Sequence, residues 1–183
     1  MPIISETFEE RVAALGGAIE LLVIRAGLAP ADLWEAVPGW SLLDEEVSGS
    51  GLIVAAEPDY TEDGFTPNVT AMLWRITAKV PDASALVDGV GTRLIPDGFD
   101  LVSRQAGPIP VAYTGAGRWF RDEFRMTGTG RAVDSYARLD VQPCSSAPGV
   151  FHALQRTHTV PEGSSVLVPA TKAVDLSSWC TQA

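Results

Sequence analysis

The chain has 183 residues, with 13 Lys and Arg against 23 Asp and Glu and a formal net charge of -10. That length suits one domain, and 46% hydrophobic with 20% charged residues argues against wholesale disorder. The acidic balance also argues against nucleic acid and against a polybasic grip on anionic lipid, since both need clustered Lys and Arg.

The first predicted element is a helix. Phe8, Val12, Leu15, Ile19, Leu22 and Ala26 recur at steps of four and three, which lays one apolar stripe along a helical face. Thr7 and Glu10 form a candidate capping box, and Gly27 is a natural stop. Gly16 and Gly17 interrupt the pattern, and Ile19–Ile24 has a second reading as a buried strand. A short helical turn follows at Pro30–Ala36. Residues 1–36 are thus a helical segment packing on the same domain as 37–183.

From Val37 the texture is short β-runs between Gly and Pro. Strands are predicted over Gly51–Ala56, Val69–Thr77, Phe99–Ser103, Val111–Phe124, Arg131–Val141 and Val150–Val160. A helix over Asp82–Leu94 is indicated by Leu86, Val90 and Leu94. Ser164–Trp179 is ambiguous because Pro169 interrupts a possible terminal helix. The order gives an α+β fold, a single antiparallel β-sheet flanked by helices.

The N-terminus carries Glu6, Glu9 and Glu10 before its first basic residue, Arg11, unlike a secretory leader. Glu20 and Arg25 break the apolar run Ala13–Leu28, so no membrane span is expected. The expected address is cytoplasmic, with secretion by a route that reads no ordinary signal as the alternative. Cys144 and Cys180 fit two reduced thiols, or one bridge pinning the C-terminal tail to a hairpin loop in an oxidising compartment.

The inventory of chemistry is thin. His152 and His158 share one strand face, but six residues along a strand is roughly 20 Å, too far to share an ion. No zinc-type cysteine pair exists, so no metal is expected. The four Gly-x-Gly triplets lack the third glycine or alanine of a dinucleotide fingerprint, and no cofactor is expected. No Gly-x-Ser-x-Gly elbow occurs, and no catalytic residue is assigned. Acidic neighbours such as Asp122 and Glu123 point apart on a strand and read as solvated rims. Asn68-Val69-Thr70 is a glycosylation sequon whose relevance depends on compartment. Arg118, Arg121 and Arg125 around Trp119 and Phe120 read as strand surface, or as a patch for an anion or aromatic ligand. The five tryptophans are spread one per element, as core residues are, with some available to line a groove. The candidate ligand-binding residues are Trp119, Arg118, Trp74 and Tyr113.

Several short motifs stand in a recognisable order. They are Val37-Pro38-Gly39-Trp40, Phe65-Thr66-Pro67-Asn68-Val69-Thr70, Pro96-Asp97-Gly98-Phe99, Ile109-Pro110-Val111-Ala112-Tyr113, Gly117-Arg118-Trp119 and Leu154-Gln155. In these the chain resembles the LpqN/LpqT family of actinobacterial lipoproteins. The resemblance implies a PsbP-like α/β/α sandwich and a non-enzymatic binding or accessory protein of the cell envelope, with a hydrophobic or glycolipid ligand or a protein partner. The alternative is an interaction or chaperone-like module linked to specialised secretion, meeting its partner through the first helix. A hydrolase using Ser with His152 or His158 ranks third. Oligomeric state is not legible.

Overall fold

The computed structural model describes residues 6–22, 41–42, 52–56, 61, 65–93, 95–111, 114–163 and 173–181. Helix α1 (Phe8–Ala14) opens with the expected capping box: Thr7 Oγ1 accepts from Glu10 N at 3.2 Å, and Glu10 Oε2 from Thr7 N at 2.8 Å. The helix then stops far short of Ala26. Gly16 takes φ +68°, its N–H bonds Ala13 O at 2.9 Å, and Gly17 N–H bonds Val12 O at 2.9 Å. This pair of bonds is a Schellman termination, which glycine enters without steric penalty. A Cβ on Gly17 would lie 2.9 Å from Val12 Cγ1. The chain reverses tightly there into strand β1 (Ala18–Leu22), so the strand alternative for Ile19–Ile24 holds over its described part.

The sheet continues with β2 (Ser41–Leu42), β3 (Leu52–Ala56), β4 (Asn68–Thr77), β5 (Phe99–Ile109), β6 (Ala116–Met126), β7 (Ala132–Pro143) and β8 (Val150–Pro161). All pairings are antiparallel, in the order β2-β3-β4-β8-β7-β6-β5. β1 and β3 share one edge of β4, end to end: Leu22 faces Leu73, and Leu52 faces Met72. The single antiparallel sheet of an α+β fold is as the sequence indicates. β5 runs six residues beyond its predicted end, through Gly107 and Pro108, because a proline without an N–H is tolerated on a terminal strand. Its register shifts between Leu101 and Ser103, which leaves Val102 56% exposed. The predicted strand from Val111 starts instead at Ala116.

The helix expected over Asp82–Leu94 is the single turn α2 (Ser84–Val87), ended before Gly89 at φ +87°. Both described helices lie on one face of the sheet. Phe8, Val12, Leu86 and Val90 join Trp74, Ile76, Phe120 and Phe151 in the main core. Arg11 Nε donates to Ala85 O at 2.9 Å and ties α1 to α2. On the opposite face the described cover is the segment 173–181, ending in a 3-10 turn (Ser177–Thr181), with Leu176 and Trp179 packed against Leu73 and Leu154. Gln142 clamps this segment, donating to Val174 O at 2.5 Å and accepting from Leu176 N at 2.9 Å. The predicted turn at Pro30–Ala36 lies outside the described residues.

Candidate functional site

Directly paired residues of an antiparallel sheet point to the same side, so the register sorts the helix-bearing face into rows across the strands. Trp74, Ala153, Val141 and Ala116 form an apolar row beneath α1 and α2. Two rows away the character changes. Thr70 and Thr157 pair, and beyond them Asn68, Thr159, Ser135, Asp122 and Arg104 make a polar row spanning five strands. Further out, Phe124 and Val133 gather with Phe65 and Phe99 in a second apolar cluster. Inward polar positions flanked by two cores cannot close against one another without desolvation cost.

A cavity of about 360 Å³ lies over these rows. Phe8, Met72, Phe120 and Leu139 wall one end; Phe65, Phe99 and Phe124 wall the other. Thr70, Gln155, Thr157, Thr159 and Ser135 supply hydroxyl and amide groups on the sheet side. Glu9, Val90 and Arg93 approach from α1 and the segment after α2. The volume falls within the range of small-molecule sites, and apolar walls with a few convergent polar groups are their usual composition.

Arg93 anchors the polar side. Its Nε donates to Asp122 Oδ2 at 2.6 Å, Nη2 to Ser135 Oγ at 2.6 Å, and Nη1 to Thr157 Oγ1 at 3.4 Å. Arg104, directly across from Asp122, donates to both its oxygens at 2.7 and 3.0 Å, and also to the Thr92 hydroxyl. Burial pulls Arg93 below its ordinary pKa and Arg104 adds to the effect, while Asp122 opposes it. Asp122 is therefore no solvated rim: it is fully buried, whereas Glu123, on the other side of the strand, is exposed.

The residues singled out from sequence fall elsewhere. Trp74 is buried against Phe8, with ring centroids 5.9 Å apart. Trp119 covers Gly107, where a Cβ would meet its Nε1 at 2.8 Å. Arg118 is half-buried, and none of these three lines the cavity. Tyr113 lies outside the described residues. Arg121 stacks on Tyr136 at 5.5 Å, and Arg125 donates to Gly130 O, so the basic cluster divides between two faces. The stripe of α1 read as a partner surface is turned inward, with Phe8 3% and Val12 0% exposed.

On the far face Cys144 and Cys180 are paired, with Cα atoms 5.5 Å apart. His152 Nδ1 lies 3.8 Å from Cys180 Sγ, and the three ligand atoms of Cys144, His152 and Cys180 fall within 4.8 Å of one another. That is a metal-type donor set that sequence spacing did not bring together, but sulfurs joined to each other offer no thiolate. His152 and His158 are both buried. Desolvation, with Arg75 second, lowers the pKa of His152.

No family model and no curated protein matches the chain. Among solved structures it is similar to LpqN of Mycobacterium tuberculosis, described as involved in cell envelope biogenesis, with a TM-score of 0.61 over 87% of each chain. The fold is that of LpqN. Sequence identity is 13%, so the likeness to LpqN is structural. No described helix is long and apolar enough to cross a membrane.

Proposed function

We propose that this protein is a non-enzymatic carrier that holds an amphipathic small molecule in the cavity between the sheet and α1. The observation that carries this is the row of inward Thr, Ser and Gln side chains between two apolar clusters, which leaves a walled space rather than closed core. An accessory role in the cell envelope is supported by the fold shared with LpqN. The pairing of Cys144 with Cys180 supports an oxidising compartment over the cytoplasm.

Saturable binding of an apolar fluorophore, N-phenyl-1-naphthylamine, tests the cavity. Thr70 lines it and is half-buried, so Thr70→Trp fills space without removing core packing. The wild type should bind the probe one-to-one and Thr70→Trp at least about tenfold more weakly, about 1.4 kcal/mol. Absence of saturable binding, or equal binding by both proteins, overturns the proposal.

A further inference from the structure

The cavity has a charge asymmetry that its apolar walls do not require. Asp122 is fully buried, and two guanidiniums converge on that one carboxylate. Their side chains are only 8% and 11% exposed. Both stay cationic, since guanidinium groups keep their proton in proteins. The cluster therefore holds a surplus positive charge where little water reaches it.

The two arginines differ in what they have left to give. Arg104 spreads its donors over Asp122, the Thr92 hydroxyl and Arg93 O, and does not line the cavity. Arg93 lines it, lying over the Phe124 ring at 5.9 Å from the centroid. Its protein acceptors are Asp122, Ser135 and the more distant Thr157, which use three of the five N–H donors of a guanidinium. The other two donors meet no acceptor among the described residues, and the side chain lines the cavity. Glu9 is the acidic residue among the described lining residues, and it is half-exposed on α1, where solvent screens its charge.

We propose that the cavity selects an anionic amphiphile, with a carboxylate head bonded to Arg93 and a hydrocarbon tail along Phe8, Met72, Phe120 and Leu139. The proposal rests on the cavity being a ligand site. A planar carboxylate matches the remaining guanidinium donors, and a charge-assisted bond in a dry setting is stronger than a neutral one. Asp122 and Ser135 hold Arg93 in place beforehand, so little ordering is needed on binding.

The test is displacement of N-phenyl-1-naphthylamine by dodecanoate, by neutral dodecanol and by cationic dodecyltrimethylammonium, all below their aggregation concentrations. Dodecanoate should bind the wild type about tenfold or more tightly than dodecanol, the equivalent of one charge-assisted hydrogen bond, and the cation should bind weakest. Arg93→Gln should bring dodecanoate down to the affinity of dodecanol, erasing the preference. Equal binding of dodecanoate and dodecanol by the wild type overturns this proposal and leaves the cavity reading standing. Displacement by none of the three, with no probe binding, overturns both. If circular dichroism shows Arg93→Gln unfolded, the wild-type ratio decides alone.

Discussion

Asp122→Asn keeps the shape of the side chain and removes its charge. In the folded protein the carboxylate is wholly buried and accepts at 2.6 Å from Arg93 and at 2.7 and 3.0 Å from Arg104. The substitution leaves two buried cations facing a neutral amide, one of whose groups is itself a donor. Breaking a buried pair by removing one partner costs roughly 3–5 kcal/mol. Asn retains one acceptor oxygen, and both arginines keep slight exposure, so the expected loss is at the lower end, about 3 kcal/mol. With a urea slope near 2 kcal/mol/M, the unfolding midpoint should fall by roughly 1.5 M at unchanged slope. Urea titration followed by tryptophan fluorescence measures it. Glu123→Gln, one residue along on the exposed side, should stay within about 0.5 kcal/mol of wild type. Asp122→Asn/Arg93→Met should cost less than its parts together, because removing a cation relieves the charge left unpaired. An Asp122→Asn protein within about 1 kcal/mol of wild type would refute the dependence of both arginines on this carboxylate.

Gly17→Ala puts a methyl 2.9 Å from Val12 Cγ1 and 3.1 Å from Thr77 O, and should lower stability by about 1–3 kcal/mol in the same titration. The Cys144–Cys180 pair closes 36 residues of sequence, so a Cys144→Ser/Cys180→Ser double variant should lose about 3–4 kcal/mol by the chain-entropy estimate. Thiol titration of unreduced, unfolded wild type should find no free sulfhydryl, and two would show that the pair is not oxidised. The pKa of His152 is lowered in the folded state, so protonation favours the unfolded chain. Stability should therefore fall as pH drops from above the unfolded value near 6.5 toward the depressed folded value, and His152→Gln should flatten that part of the midpoint-versus-pH curve; an unchanged slope would refute the assignment.

The central strands are legible because β-branched and aromatic residues are frequent along them and Gly and Pro bound them. The residues of β4, β7 and β8 declare their state but not their two faces, since in β4 Leu73 and Trp74, on opposite sides, are both buried. The first helix is shorter than its apolar stripe, since a stripe at steps of three and four does not register a glycine pair that turns the chain back on itself. β5 runs past Ser103 because Gly107 and Pro108, which look like breakers in sequence, are tolerated on a terminal strand. The candidate site was half visible. Thr70, Ser135, Thr157 and Thr159 all fall at inward positions of predicted strands, and that accumulation of hydroxyls was a usable signal. Arg93 was not legible, since its partner Asp122 is 29 residues away and only the tertiary fold joins them. The same holds for His152 and Cys180, 28 residues apart.

The far end of the sheet has a consequence for how this protein behaves in company. Among the described strands, β5 is an eleven-residue margin whose outward backbone groups could template another chain. Two irregularities spoil it as a template. The register shift at Leu101/Ser103 breaks the spacing a visiting strand would need, and Pro108 withdraws a donor near the other end. What remains between them is a short regular stretch carrying Arg104, whose charge is engaged inward with Asp122. The same side chain that completes the buried ion cluster thus sits on the sheet's guarded border, joining internal electrostatics to colloidal behaviour.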